Sequence, residues 1–374
     1  MIIMNHEYLY YLTSRILSLE LFPGRSSGII KRFPSTKNQW QRWVQTASNH
    51  MVLPACFLAL KRHQLLTFLP DELQESLKYI YELNYERNLK IEKHARYINK
   101  VLKSNNITPL FMKGSANLLD EVYHDIGERM MYDIDILVKD QNMLAAVELL
   151  TTLGYKPQKP FIPSSYPSTM HYPIMYREGY TAGIEIHRIP VQYLYLKKFS
   201  SDKLWESARE SKNPLFDGKV MPDDKKMIHN FIHSQLMHSR HYYGNVSLRD
   251  LYDILLLSRR EDPVRVFSEY DHFQKQSQTY LQLYHRVFEI KMPEKLQRFS
   301  DSRFFFMRHK ISLRASKKKL AAFYFLIMFS QKYILLPVRT LWNREARNYV
   351  FSRLTQPAWY GRHMAAYKRM FTRR

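Results

Sequence analysis

The chain has 374 residues, 45% hydrophobic and 14% aromatic, with a formal charge of +23 at pH 7, enough apolar material for packed cores; composition therefore excludes a disordered chain and allows two domains of ordinary size. The single cysteine, Cys56, excludes an internal disulfide and a multi-cysteine zinc site. The N-terminal stretch MIIMNHEYLYYLTSRILSLELF lacks the basic start, apolar run and small-residue cleavage site of a secretory signal, so the expected location is the cytoplasm.

In chain order, Asn38 to Asn106 reads as helices, without glycine and with Ile91, Ala95, Ile98, Val101 and Leu102 at helical spacings. An N-terminal helical module is expected over residues 1–106. Thr108 to Met112 is a short apolar strand after the breaker-rich SNN, and Met131 to Val138, MYDIDILV, alternates with period two; a helix over Ala116 to Tyr123 separates them. A further helix runs from Lys139 through Leu144, Val147, Leu150 and Leu153 and stops at Gly154. A proline-rich loop, Pro157 to Pro167, then leads to strands His171–Tyr176 and Thr181–His187, joined by the hairpin-length REGY. After Pro190 helices return at Asp223–Arg240, Ser247–Arg259 and Asp262–Lys291. The expected fold class is α+β: a small mixed β-sheet core over 107–190, a helical region over 191–300 that completes a cleft, and a basic helical extension over 301–374.

That extension holds seventeen Lys and Arg from residue 303 onward against one acid, Glu345, a surface suited to RNA or anionic lipid. Trp342, Tyr349, Phe351, Trp359 and Tyr367 are interleaved with the basic residues, which suits base stacking. Leu320 to Val338 is apolar apart from Lys332, but its longest uncharged run, Leu320 to Gln331, has twelve residues, too few to span a bilayer at about 1.5 Å per residue. It reads as a helix packed on the protein, with an interfacial helix, and peripheral membrane contact, as the alternative.

The chemistry centres on the second strand. Residues i and i+2 share a strand face, so Asp133 and Asp135 present their carboxylates together while Ile134 and Ile136 face the core. Such a pair is tolerated when one acid is protonated, when Lys or Arg neutralises both, or when divalent cations sit between them. Magnesium fits best, because it prefers oxygen ligands. Upstream, Gly114 and Ser115 stand where a strand turns into a helix, so backbone N–H groups and a hydroxyl would face an anion beside that site.

Taken together, MKGS over Met112–Ser115, Arg129 and DID over Asp133–Asp135 resemble the nucleotidyltransferase superfamily of DNA polymerase β. More narrowly, SNNI at Ser104–Ile107, Gly154-Tyr155, GIEIH at Gly183–His187, HNFIH at His229–His233 and LRDLYDI at Leu248–Ile254 are similar, in the same order, to a bacterial branch of uncharacterised nucleotidyltransferases related to AbiEii-type toxins. The resemblance covers about Tyr85 to Ser258. One departure is the spacer of seventeen residues between Ser115 and Asp133, longer than in the most familiar signature.

The resemblance implies an enzyme that transfers a nucleoside monophosphate from an NTP to an acceptor, which RNA, a protein or a small molecule would each satisfy. Asp133, Asp135 and Glu185 would be catalytic and bind two Mg²⁺ ions; Glu185 would be either a general base or only a metal ligand. Lys113, Gly114, Ser115 and Arg129 would bind the nucleotide. His187, His233, Arg249, Asp250 and Asp253 are expected at the cleft. The i, i+4 pair His229 and His233, with His238 and His241 nearby, lacks the glutamate of a metalloprotease signature and reads as a cleft-lining helix. Arg249, Asp250 and Asp253 fall within one helical turn and are also read as a salt-bridged face. Two other classes remain open: a non-catalytic nucleotide- or RNA-binding module, and a peripheral membrane protein that uses its C-terminal region.

Overall fold

The computed structural model describes residues 4–160, 169–297, 302–314, 322, 324–327, 329–342, 344–354 and 361. Part of the proline-rich loop, Leu320, Trp359 and Tyr367 lie outside the described residues. The N-terminal region is helical, as expected: α1 (His6–Ser18), α2 (Ser26–Ile30), α3 (Lys37–Asn49), α4 (Leu53–Arg62) and the 34-residue α5 (Asp71–Ser104). Local sequence sets two of the starts. The Asn5 side chain accepts from the Tyr8 N–H ahead of α1, and Thr36 with Gln39 forms a capping box ahead of α3. Ile91, Ala95, Ile98 and Leu102 of α5 are all buried.

A seven-stranded mixed sheet follows, built from β1 (Leu110–Phe111), β2 (Asp133–Leu137), β3 (Lys156–Pro157), β4 (Met175–Tyr176), β5 (Gly183–His187), β6 (Arg209–Glu210) and β7 (Lys219–Val220), in the order β3-β4-β5-β2-β1-β7-β6. The α+β class is therefore as expected. At its centre β2 and β5 run parallel over five residues each, and Ile134, Ile136, Ile184 and Ile186 of these strands are wholly buried. β6 and β7 were not expected. Each is two residues long, and neither displays enough of a period to mark it.

Helices α6 (Lys113–Leu119) and α7 (Met143–Thr152) flank β2 in sequence; α8 (Tyr193–Leu196) and α9 (Ser201–Ser207) follow β5. The C-terminal half holds α10 (Asp223–Phe231), α11 (Arg240–Tyr243), α12 (Leu248–Leu257), α13 (Pro263–Glu269), α14 (Gln274–Val287), α15 (Glu294–Gln297) and α16 (Arg303–Arg314). Three expected helices differ in detail. α6 begins at Lys113, three residues before Ala116. The helix expected over Asp223–Arg240 passes into a π-helical turn at Ile232–Met237. The one expected over Asp262–Lys291 breaks between α13 and α14, where Phe273 adopts φ +57°; no glycine or proline there announces the break.

The long spacer forms the end of α6 and a loop that buried polar side chains pin down. Asn84 Nδ2 donates to the Gly127 carbonyl (2.7 Å), and Asn88 Nδ2 to the carbonyls of Ile126 (2.6 Å) and Arg129 (2.8 Å). From the other side Tyr252 of α12 donates its hydroxyl to Glu128, which also accepts from the His124 N–H at 3.1 Å. Loop carbonyls buried this way need such partners.

Glu128 is wholly buried, with Arg62 Nη2 3.7 Å away, and burial pushes its pKa up from the usual 4.5 to about 7. A carboxyl with a raised folded-state pKa contributes stability that is full below its unfolded value and is lost as pH rises through the folded one. Unfolding free energy should therefore fall by roughly 1–3 kcal/mol between pH 4.5 and 8 on account of this group. Urea titrations across that range should show a flatter pH dependence for Glu128→Gln; identical slopes would contradict the assignment.

Candidate active site

The parallel register of β2 and β5 sets Asp133 opposite Gly183 and Asp135 opposite Glu185. The two acids one strand apart share a face, because directly paired residues in a sheet project the same way. Lys113 Nζ enters between them, 2.6 Å from Asp135 Oδ1 and 3.3 Å from Glu185 Oε2. His187, two residues along β5 from Glu185, brings its Nε2 to 3.0 Å from Asp135 Oδ1 and 2.9 Å from Glu185 Oε2. His171 Nδ1 stands 3.2 Å from Glu185 Oε1. Lys113 takes φ +52° at the first position of α6, the left-handed region that costs an ordinary residue about 1–2 kcal/mol.

These contacts set the charges. Burial opposes ionisation of Asp135 and Glu185, but the Lys113 ammonium and the His187 hydrogen bonds hold both carboxyls below their usual values. Burial likewise opposes the Lys113 charge, and the two acids overcome it and raise its pKa to about 12. Burial and the Lys113 charge oppose protonation of His187, while its bonds to both acids win and raise its pKa. Asp133 is different. Among the described residues its carboxylate forms no hydrogen bond or ion pair, and burial followed by repulsion from Asp135 pushes its pKa up to about 6.

Donor atoms of Asp135, Glu185 and His187 all lie within 4.8 Å of one another, so two carboxylate oxygens and a ring nitrogen converge on a volume of cation size. The buried His187 Nδ1 lacks a hydrogen-bond partner. The donor set fits a divalent metal. Of the three acids expected to be ligands, Asp135 and Glu185 belong to this cluster, with His187 as the third member; Asp133 adjoins it on the same strand.

The residues expected to bind nucleotide are placed for other contacts as well. A Cβ on Gly114 would meet Arg129 Nη1 at 2.7 Å, so glycine lets the guanidinium close over the start of α6. Ser115 is buried, donating its hydroxyl to the Met112 carbonyl (2.9 Å) and accepting from the Asp135 N–H (3.3 Å); it fastens the turn to β2. Arg129 donates through Nε and Nη2 to Asp253 at 2.9–3.1 Å, so its charge is matched by that carboxylate. Asp253 also accepts from Tyr123 at 2.9 Å. The salt-bridged face read on α12 is corrected in one respect: Asp253 pairs with Arg129 across the fold, while Arg249 reaches Asp250 only at 3.5 Å.

Beside the acidic cluster is a cavity of about 70 Å³ lined by Lys113, Arg129, Lys226, His233, Arg249 and Asp250, among others. His229 and His233 both line it, and burial lowers both pKa values; His229 Nε2 is within 2.9 Å of the Pro190 carbonyl. The ring of His238 is 4.9 Å from that of His233, while His241 stacks on Phe305 of α16, also at 4.9 Å. Among the described residues the histidines of this segment form no three-ligand cluster.

Two participants escaped the sequence reading. His171 had a partial signal, since counting back from the REGY turn places it across from Ile186, one residue short of His187, with which it forms an isolated bridge. Lys226 had none: it follows from Asp120 and Asp223 meeting its ammonium in the fold.

Removing one partner of the Arg129–Asp253 pair leaves the other charge buried. Arg129→Met or Asp253→Asn should cost about 3–5 kcal/mol in chemical denaturation, and the double replacement Arg129→Met with Asp253→Leu should recover most of it. A loss below about 1 kcal/mol for either single change would contradict the pairing.

No curated protein matches the chain in sequence. The model of a protein family described as uncharacterised nucleotidyltransferase matches residues 36–280, about two thirds of the chain and further in both directions than the motifs alone suggested. It runs from α3 into the first half of α14 and takes in the whole sheet and every residue of the acidic cluster. With strands that carry paired acids at the centre of a mixed sheet, and with that match, the chain belongs to the uncharacterised nucleotidyltransferase family.

Proposed function

We propose that the protein transfers a nucleoside monophosphate from an NTP to an acceptor hydroxyl in a Mg²⁺-dependent reaction at the β2–β5 face. The observation that carries this reading is the juxtaposition of Asp135 and Glu185, opposite each other on adjacent strands, with Asp133 on the same face. Asp135 and Glu185 would hold the cation, with Asp133 at its edge. Bound there, a divalent cation neutralises phosphate oxygens and stabilises charge that develops during displacement. It would also relieve the Asp135 repulsion that adds to burial in raising the Asp133 pKa.

Mg²⁺ favours oxygen over nitrogen, so His187 suits a positioning role: its bonds to Asp135 and Glu185 fix both carboxylates. Glu185, kept ionised by Lys113 and His187, is suited to being a ligand more than a proton acceptor. Lys113 touches the acids and also lines the neighbouring cavity, a position from which its ammonium can meet a phosphate. Gly114 and Ser115 would approach the same phosphates through the backbone at the start of α6. Arg129, Lys226 and Arg249 line the same cavity beside Asp250 and Asp253, and are the side chains a triphosphate on that side would draw from their present ion pairs.

Incubation of the protein and a cell extract with NTPs labelled at the α- or the γ-phosphate tests the reaction. The α label should appear in an acceptor and the γ label should not. Asp135→Ala and Asp133→Ala should lower transfer about a thousandfold or more, the effect of losing several kcal/mol of metal-centred stabilisation, with circular dichroism unchanged. Retained transfer in a folded Asp135→Ala protein, or incorporation of the γ label, would overturn the reading.

A further inference from the structure

The exposed apolar residues are unevenly distributed. Twelve of the twenty large hydrophobic side chains exposed among the described residues fall between Phe304 and Phe351, and clustering of this kind marks an interaction surface. Ile334, Leu335, Val338, Leu341 and Trp342 recur at intervals of three to four along the π-helical turn Ser330–Leu335 and the helix Leu336–Thr340 that continues it. Helical periodicity gathers them into one stripe, and Leu341 and Trp342 are 68% and 77% exposed.

The other side of this region is anchored. Asn245 Nδ2 donates to the Tyr324 hydroxyl (3.2 Å), whose ring packs on Tyr243 (4.5 Å). Ala346 of the helix Arg344–Leu354 is fully buried, and that helix packs against α8. Farther upstream α16 is fixed through His309, whose Nδ1 is 2.7 Å from the Gly244 carbonyl, while Phe304, Met307 and Ile311 of the same helix face outward. The apolar stripe is thus what remains uncovered after docking.

Charge identifies the partner. From residue 303 to the end of the sequence Lys and Arg outnumber acids seventeen to one, so the partner is anionic. Four of the five stripe residues, Ile334, Leu335, Val338 and Leu341, are aliphatic and contribute nothing to phosphate contacts or to base stacking, the two terms on which RNA binding rests, which leaves Trp342 alone to stack. Apolar side chains in a basic frame are what an interfacial helix uses, its apolar face in the headgroup–acyl boundary and its cations on anionic headgroups. No helix among the described residues is long and apolar enough to cross a membrane, so the geometry is one of lying on a bilayer.

We propose that the C-terminal region docks on an anionic lipid bilayer through the stripe of Ile334, Leu335, Val338, Leu341 and Trp342, with the surrounding Lys and Arg on the headgroups. This surface is independent of the nucleotidyl-transfer chemistry.

Co-sedimentation of the full-length protein with phosphatidylcholine vesicles, with and without phosphatidylglycerol, tests it. The protein should pellet with the anionic vesicles at least about tenfold more than with the neutral ones and be released by high salt. Leu341→Asp combined with Trp342→Asp should reduce this binding about tenfold at an unchanged unfolding midpoint. Arg339→Glu with Arg344→Glu, which leaves the apolar stripe intact, should do the same. Absence of vesicle binding, equal binding to neutral vesicles, or variants that bind as the parent does would overturn the proposal. So would retention of single-stranded RNA in place of vesicles, which would assign the surface to nucleic acid.

Discussion

The parallel pairing of β2 with β5 is the constraint on which the rest of the centre depends, because it forces Asp135 and Glu185 to face each other in a largely buried position. Two carboxylates held that close repel, and removal from water deepens the cost. The protein meets that cost with its own cations. Lys113 and His187 each bridge both acids, and Lys113 does so from a backbone conformation a lysine adopts only under constraint. Strain of that kind persists where the surrounding structure over-determines it, as it does at functional sites. A site that concentrates negative charge and balances it with the ammonium of Lys113 is suited to a metal ion that would take over that neutralisation.

The helices make this arrangement rigid through a second set of buried contacts. The loop before β2 is held from one side by Asn84 and Asn88 of α5 and from the other by Tyr252 and Asp253 of α12. Consecutive residues Glu128 and Arg129 meet consecutive residues Tyr252 and Asp253, so one helix fixes both the loop and the guanidinium that lies over Gly114. The long spacer is therefore an ordered segment and not a slack connection. It couples the N-terminal helices to the acidic face of the sheet, and the family match likewise begins well before the acidic motif.

Much of this was legible in the sequence, for physical reasons. Period-two alternation in MYDIDILV and GIEIH identified the two central strands and the faces of their acids, since a one-residue slip would have turned the aspartates to the face that the isoleucines occupy. The helices of the N-terminal region declared themselves by their spacing. Contacts between distant segments were less accessible: Arg129 with Asp253 and Lys226 with Asp120 join residues more than a hundred positions apart, and no local pattern encodes such a meeting. The position of Lys113 inside the acidic cluster depends on a positive φ that lysine does not advertise. Strands as short as β6 and β7 lack a period, and the break ahead of α14 occurs at Phe273 without a breaker residue.

The central claim, that the Asp135–Glu185 pair is the metal and nucleotide site of a nucleotidyltransferase, is tested most directly by crystallography with Mn²⁺ and a non-hydrolysable NTP analogue, located by anomalous scattering. The account predicts an anomalous peak at coordination distance, about 2.0–2.3 Å, from carboxylate oxygens of both Asp135 and Glu185, with the analogue's phosphates on the side of Lys113 and the adjoining cavity. An analogue bound elsewhere, or Mn²⁺ found away from these two carboxylates, would contradict it.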